Sequence, residues 1–187
     1  MKRVDRMIQL RSGTYFDPFD PEPESILIED IAHALSMLCR FNGHTCHFYS
    51  VAEHSCWVSH LVPPEHQLTA LLHDATEAYI ADVTRPVKQQ LSGYKAIERD
   101  LWLAIAARFD LPSVLPDCVY QADRVLLATE RRDLMTEQSD VWAALCNITP
   151  MAIRIDPVEP MVAKSMFLSL FNKYQHQRQH RAQVGAA

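Results

Sequence analysis

The chain has 187 residues, 48% of them apolar, and a net charge of −5, which indicates one domain with a sizeable core and argues against non-specific binding to nucleic acid. With four glycines it lacks the G-x-x-x-x-G-K-[ST] loop, the G-x-G-x-x-G turn and the G-x-S-x-G elbow, so P-loop, Rossmann and α/β-hydrolase chemistry are excluded. Its apolar runs are far too short for a membrane span, and its charged first residues predict no signal peptide.

The predicted elements begin with a β-hairpin within residues 7–20, where alternating apolar residues flank a turn at 11–13. A proline-rich connector follows it. Helical periodicity then predicts helices over about 27–39, from 50 onward, and over about 65–80, 94–109, 117–135 and 160–174. We expect one all-α domain over residues 1–187, with a small N-terminal β-hairpin, a core over about 25–175 and a frayed polar tail from 176.

The start of the second helix has a capping signal. Ser50 and Glu53 have the spacing of a capping box, in which each side chain accepts a hydrogen bond from the backbone N–H of the other residue. This predicts that the second helix begins directly after Ser50.

The third predicted helix carries polar residues where apolar ones are expected. His73 and Asp74 follow three apolar residues, and Glu77 lies one turn further on, about 40° from His73 on the helical wheel. Burying an imidazole and two carboxylates without a partner costs several kcal/mol, as an order of magnitude, and a metal cation offsets that cost. A salt-bridge cluster is the alternative, although this helix supplies no cation on that face.

Two more helices repeat the pattern. His54 shares a face with Val58 and Leu61, and Asp123 lies among apolar helical neighbours. Taken singly, each has an ordinary structural explanation as a core histidine or a surface aspartate. Together with His73 and Asp74, they form a nitrogen and oxygen ligand set suited to one divalent transition metal such as Zn, Co, Mn, Fe or Ni. Mg²⁺ is a further candidate cofactor at the phosphates of a substrate.

The order His54, His73-Asp74, Asp123 resembles the H…HD…D signature of the HD-domain phosphohydrolases. The segments SVAEHS (50–55), ALLHDATEAYIADVTRPVK (70–88) and QADRVLLATERRDL (121–134) are similar to a compact bacterial and phage subgroup of that family. This subgroup includes 5′-deoxynucleotidases and small dATP triphosphohydrolases. The resemblance covers about residues 25–140 and implies an HD-domain helical bundle with metal-dependent phosphohydrolase activity.

The resemblance also implies roles for individual residues. Glu77, in HDATE, corresponds to the acidic residue that positions or deprotonates the attacking water. Asp82 matches an aspartate that helps hold the sugar, and Arg40 and Lys88 match cations near the phosphate. Some HD enzymes bind a second metal through extra histidines before the last aspartate. This chain has no histidine from residue 74 to 175, so we expect a mononuclear site.

The loop after Arg40 departs from the family pattern. The bacterial deoxynucleotidases carry a tryptophan after this arginine, whereas this chain has Phe41 and a shorter loop. We expect Phe41 to contact substrate and His44 to lie near its phosphate, but base and sugar selectivity do not follow from the resemblance here. A small structural zinc site in the Cys- and His-containing loop at 39–47 is an alternative, although its spacing is not a usual zinc pattern.

Three functions remain open. The first is a deoxynucleotide phosphohydrolase, either a dNTP triphosphohydrolase that favours dATP or a 5′-deoxynucleotidase. The second is a hydrolase of cyclic or signalling nucleotides, and the third is a non-catalytic HD scaffold. We expect a homo-oligomer that binds a small-molecule nucleotide. Five irregularly spaced cysteines fit free thiols in a reducing cytoplasm, and residues 130–133 are expected to form a solvated helix face.

Overall fold

The computed structural model describes residues 6–137, 142 and 145–185. It is mainly helical with a two-stranded antiparallel hairpin at its start, as predicted. The strands are β1 (Ile8–Gln9) and β2 (Tyr15–Phe16). The helices are α1 (Ile28–Met37), α2 (Val51–His60), α3 (Gln67–Leu71), α4 (Glu77–Ile80), α5 (Arg85–Lys88), α6 (Tyr94–Phe109), α7 (Asp117–Leu134) and α8 (Pro160–Gly185). Among the described residues, no helix combines the length and apolar character that a membrane span requires.

Helix α2 is at the centre of the bundle. It packs against α1, α3, α7 and α8, and most of its residues are buried. The main hydrophobic core joins the hairpin to the helices, and Phe16 of β2 stacks on Tyr79 of α4 with 4.2 Å between ring centroids. A second cluster, which includes Val58 of α2 and Leu126 of α7, lies between those two helices. Polar side chains on the inner faces of α2 and α7 are therefore forced into the interior.

The N-terminus of α2 forms half of the predicted capping box. The Ser50 side chain accepts a hydrogen bond from the Glu53 N–H at 3.1 Å, as predicted. The other predicted bond, from the Ser50 N–H to the Glu53 side chain, is wrong, because the Glu53 carboxylate accepts from the Val158 N–H at 3.0 Å instead. The helix begins where the sequence indicates, and Glu53 ties α2 to the segment that leads into α8.

The predicted helix over 65–80 is broken into α3 and α4 by a run of turns at 72–76. In a continuous α-helix the carbonyl of Ala70 accepts the N–H of Asp74. Here that carbonyl is 2.7 Å from Nδ1 of His73, and tighter bonds such as Glu77 N–H to the Asp74 carbonyl follow. The wheel argument for a continuous helix was therefore wrong, and His73 and Asp74 lie on the turns between α3 and α4.

The expected frayed tail is helical. Helix α8 continues past Tyr174 to Gly185. Arg178 donates a hydrogen bond to the Phe109 carbonyl at 3.0 Å, and Arg181 donates one to the Pro64 carbonyl at 3.0 Å. The tail was predicted to fray because it is polar, but two arginines anchor it to the end of α6 and to the loop before α3.

Candidate metal centre

His54 lies on the buried face of α2, and its Nε2 faces the carboxylates of Asp74 and Asp123. Its Nδ1 lies 2.6 Å from Oε1 of Glu130, and the imidazole is fully buried. A carboxylate accepts from an N–H, so this contact places the proton of a neutral imidazole on Nδ1. The buried Nε2 has no hydrogen-bond partner within the described part of the chain. In the neutral ring, Nε2 could therefore act as a ligand atom.

His73 is oriented in the same way by a different acceptor. Its Nδ1 donates to the Ala70 carbonyl at 2.7 Å, and its Nε2 is buried and has no hydrogen-bond partner among the described residues. The two imidazole rings are 5.3 Å apart between centroids. Metal-binding histidines usually donate the other ring N–H to a carboxylate or a backbone carbonyl. His54 bonds in this way to a carboxylate, and His73 bonds to a backbone carbonyl.

The donor atoms converge. One donor atom each from His54, His73 and Asp123 lies within 4.8 Å of the others, and this cluster could hold a metal ion. Asp74 joins its edge, since its Oδ2 is 3.4 Å from His54 Nε2 and 3.3 Å from His73 Nε2. Two imidazoles and carboxylate oxygens fit a divalent transition metal. Together, the unpartnered Nε2 atoms and the donor set show that the residues fit such an ion.

Glu130 is the buried residue that the sequence reasoning missed. It was expected on a solvated helix face, but its side chain is 0% exposed. Its Oε1 contacts His54, and its Oε2 accepts a hydrogen bond from Arg40 Nη2 at 3.2 Å. The available signal was its spacing, because Glu130 follows Asp123 by seven residues, or two helical turns, and therefore shares its face of α7.

The side chain of Asp133 is also buried, so the prediction of a solvated helix face at 130–133 is wrong for this residue as well. Its side chain is 2% exposed and pairs with Arg132 at 2.7 Å. Asp133 accepts from the Ile155 N–H, while Arg132 donates to the carbonyls of Met151 and Ile153. These contacts fasten the segment at 151–155 to the C-terminal end of α7.

Arg40 lies beside the cluster and is held by two carboxylates. Besides its bond to Glu130, its Nη1 is 3.6 Å from Oδ2 of Asp74, and the side chain is 11% exposed. Burial opposes the charge on Arg40, but the negative charges of Glu130 and Asp74 outweigh it and raise its pKa. The predicted phosphate-binding arginine is therefore a fixed cation next to the candidate metal ligands.

Two acidic side chains of the cluster, Glu77 and Asp82, are shifted toward their protonated forms. Burial raises the pKa of Glu77 well above its usual 4.5, and the charges of Asp74 and Asp82 add to this effect. Burial also raises the pKa of Asp82, against an opposing effect of Arg40. One Glu77 carboxylate oxygen is buried and unpartnered among the described residues. A bound cation would lower the cost of these charges.

The charge of His54 responds to the same environment. Burial and the nearby Arg40 lower the pKa of His54, but the carboxylates of Glu130 and Asp123 outweigh them and bring it to about 10. Burial raises the pKa of Asp123, whereas His54 and His73 lower it more strongly, so its net pKa is lowered. In the absence of another cation, the cluster thus favours a proton on His54, and metal binding must displace that proton.

The predicted substrate residues lie around this cluster at different depths. Lys88 of α5 is paired with Glu98 at 2.7 Å and lies over the Tyr94 ring. Burial lowers the pKa of Lys88, but its bond to Glu98 outweighs that effect and raises it. Asp82 is partly buried and within electrostatic range of Arg40, whereas His44 is exposed and the described contacts do not join it to the cluster.

Phe41 follows Arg40 in a strained turn. The 3₁₀ segment Arg40–Gly43 has Phe41 and Asn42 in the left-handed region, both with φ 53°. Left-handed backbone at such residues costs about 1–3 kcal/mol each and often marks functional sites. The Phe41 ring lies 5.4 Å from the Arg40 guanidinium and 6.2 Å from the ring of Trp142. The alternative zinc site in the loop at 39–47 finds no support, because within the described residues only His54, His73 and Asp123 bring three donor atoms close enough together to hold one metal ion.

Comparison with known proteins gives a family but no activity. The chain matches no family model. It is 42% identical over 166 residues to the uncharacterized protein YfdR of Escherichia coli strain K12, which covers 88% of this chain and 93% of YfdR. It is also 42% identical over 133 residues to an uncharacterized protein of Rhodobacter capsulatus, covering 65% of this chain and 66% of that protein. This helical protein with a candidate metal centre therefore belongs to the family of YfdR.

Proposed function

We propose that the protein is an HD-domain phosphohydrolase that uses one divalent transition metal to hydrolyse deoxynucleotides. The reaction that we expect is the hydrolysis of a dNTP to its deoxynucleoside and tripolyphosphate, with dATP as a good substrate. The observation that carries this proposal is the convergence of His54, His73 and Asp123 within 4.8 Å, with both imidazole Nδ1 atoms already bonded elsewhere. The motif order that resembles the HD family gives the reaction class.

The residues of the cluster have different proposed roles, which follow from their positions. His54, His73, Asp74 and Asp123 would hold the ion, which when bound acts as a Lewis acid toward a phosphoryl oxygen. Arg40, fixed beside Asp74, supplies positive charge for the substrate phosphates in an otherwise acidic protein. Lys88 supplies a second, less buried cation close to Glu77.

Glu77 is the proposed general base. It is 5% exposed, and its charge interacts most strongly with Asp74, one of the proposed ligands. A carboxylate at this position can orient water or accept its proton without joining the ligand set. For a dNTP, the water oxygen would attack the α-phosphorus and the bond between that phosphorus and O5′ would break. The proton would reach O5′, and the products would be the deoxynucleoside and tripolyphosphate.

A nucleotide panel with product identification tests this proposal. The purified protein is incubated with deoxynucleoside mono-, di- and triphosphates and with cyclic nucleotides, each with Mn²⁺, Co²⁺, Zn²⁺, Ni²⁺ or Mg²⁺. We expect deoxyadenosine and tripolyphosphate from dATP. Orthophosphate released from monophosphates, with no turnover of triphosphates, would replace this reading with a 5′-deoxynucleotidase. Metal binding without turnover of any nucleotide would favour a non-catalytic HD scaffold.

A further inference from the structure

We propose that Glu130 is a positioning residue that orients the metal ligand His54 and the substrate cation Arg40 with one carboxylate. This inference rests on the metal site of the proposed function. Glu130 lies on α7, whereas His54 lies on α2 and Arg40 lies in the turn after α1. Three separate parts of the chain therefore meet at one buried side chain.

The contact with His54 determines which nitrogen faces the site. With Glu130 Oε1 accepting from Nδ1 at 2.6 Å, Nε2 is left deprotonated and directed at Asp123, 3.3 Å away, whenever the ring is neutral. Without that acceptor, the ring can change tautomer or rotate, and the buried Nδ1–H has no partner. Loss of such an orienting carboxylate typically weakens metal affinity about 10–100-fold.

The contact with Arg40 uses the other oxygen of the same carboxylate. Arg40 Nη2 donates to Glu130 Oε2 at 3.2 Å, so His54 and Arg40 each donate to a different oxygen of Glu130. A carboxylate offers two acceptor oxygens, whereas a glutamine amide offers one acceptor and one donor. Glutamine at position 130 can therefore satisfy His54 or Arg40, but not both.

A merely structural carboxylate makes a different prediction. If Glu130 only neutralised Arg40, glutamine and alanine at position 130 would change the Co²⁺ affinity alike through the lost charge, and the Co²⁺ absorption spectrum would stay that of the wild type. Glu53 is a matched control because it is equally buried, at 1% exposure, and is next to His54 in the chain. Its carboxylate instead bonds to the Val158 N–H. Burial raises the pKa of Glu53 to about 7, so above that pH its replacement by glutamine tests the general effect of a lost buried anion.

The experiment is a Co²⁺ titration of the metal-free protein of residues 1–187, monitored by calorimetry and by the visible absorption of bound Co²⁺. The variants are Glu130→Gln, Glu130→Ala, Arg40→Met and the control Glu53→Gln, each checked by circular dichroism for folding. We expect Glu130→Ala to weaken Co²⁺ binding by about 10–100-fold and to alter the absorption spectrum. Glu130→Gln should fall between this variant and wild type, and it provides the test if the alanine variant does not fold.

The controls separate the possible outcomes. Glu53→Gln should stay within about threefold of wild type, and Arg40→Met should bind Co²⁺ no more weakly than wild type because it removes a cation from beside the site. Unchanged Co²⁺ affinity and spectrum in both Glu130 variants, or equal weakening by Glu53→Gln, would overturn the role of Glu130 while leaving the metal site intact. If the wild-type protein bound no Co²⁺, Zn²⁺ or Mn²⁺, the proposed function would fail, and this inference with it.

Discussion

Oδ2 of Asp74 lies 3.4 Å from Nε2 of His54, although one residue is on a turn and the other is in the middle of a buried helix. This approach depends on the break between α3 and α4. At the break, His73 takes the Ala70 carbonyl, and the following turns place Asp74 beside α2. The local departure from helical geometry thus brings the candidate ligands His73 and Asp74 close to His54.

The first prediction concerns metal content. His73→Ala and Asp123→Ala should each remove most of the bound transition metal, because each deletes one of the three converging donors. Elemental analysis of the purified variants measures this. His60→Ala is the matched control, since the His60 Nδ1 also bonds to a backbone carbonyl, that of Cys56, but His60 is not in the cluster. Stoichiometric metal in both ligand variants would refute the assignment.

The second prediction concerns substrate binding. Arg40→Ala and Lys88→Ala should raise KM for the deoxynucleotide by about 10–100-fold each, the scale of a lost hydrogen bond to a charged group. Steady-state kinetics with the best substrate of the panel gives the value. The control is Arg99→Ala, which removes an exposed arginine paired only with its neighbour Asp100 among the contacts described for it. Normal KM values in both site variants would mean that the phosphates bind elsewhere.

The third prediction separates catalysis from metal binding at Glu77. Glu77→Gln and Glu77→Ala should retain metal and substrate binding but lose kcat by about 10²–10⁴, the usual scale for general acid–base catalysis. Glu53→Gln again serves as the buried-glutamate control and should keep kcat. If metal affinity falls before kcat does, Glu77 orients a ligand and is not the base.

The fourth prediction concerns the pH dependence of stability at Asp133. The hydrogen bond from Arg132 lowers the pKa of Asp133 below its usual 3.8, so the ionised form stabilises the folded state. Its contribution is fully present above the unfolded pKa and is lost as the pH falls through the lower folded pKa. Asp133→Asn should therefore reduce the free energy of unfolding by about 1–3 kcal/mol near neutral pH and by much less in acid.

Chemical denaturation of the wild-type protein and the Asp133→Asn variant between about pH 2 and about pH 7 measures this difference in the free energy of unfolding. Asp100→Asn removes an exposed carboxylate from a surface pair and should cost less than about 1 kcal/mol. A difference between wild type and Asp133→Asn that is the same at about pH 7 and about pH 2 would show that the Asp133 charge does not hold the segment at 151–155.

The sequence alone determined the features that depend on neighbours along the chain. Periodicity predicted an all-α fold with an N-terminal hairpin, and α6 has the predicted bounds Tyr94–Phe109. The residue type at Ser50 predicted its N-cap bond, because that bond spans only three residues. The polar residues His54, His73 and Asp123 stood out because they interrupt apolar stripes, and the structure brings these three together.

Tertiary structure decided everything that depends on contacts distant in the chain. The spacing of Glu130 from Asp123 indicated a shared face of α7, but its contacts with His54 and Arg40 could not be predicted, because those residues are 76 and 90 positions away. Beside Arg131 and Arg132, Glu130 resembles a surface residue. The length of α8 depends on anchors such as Arg178 to the Phe109 carbonyl. A charged side chain is solvated or buried according to what packs over it, and that packing is settled only when α2, α7 and the turn after α1 come together.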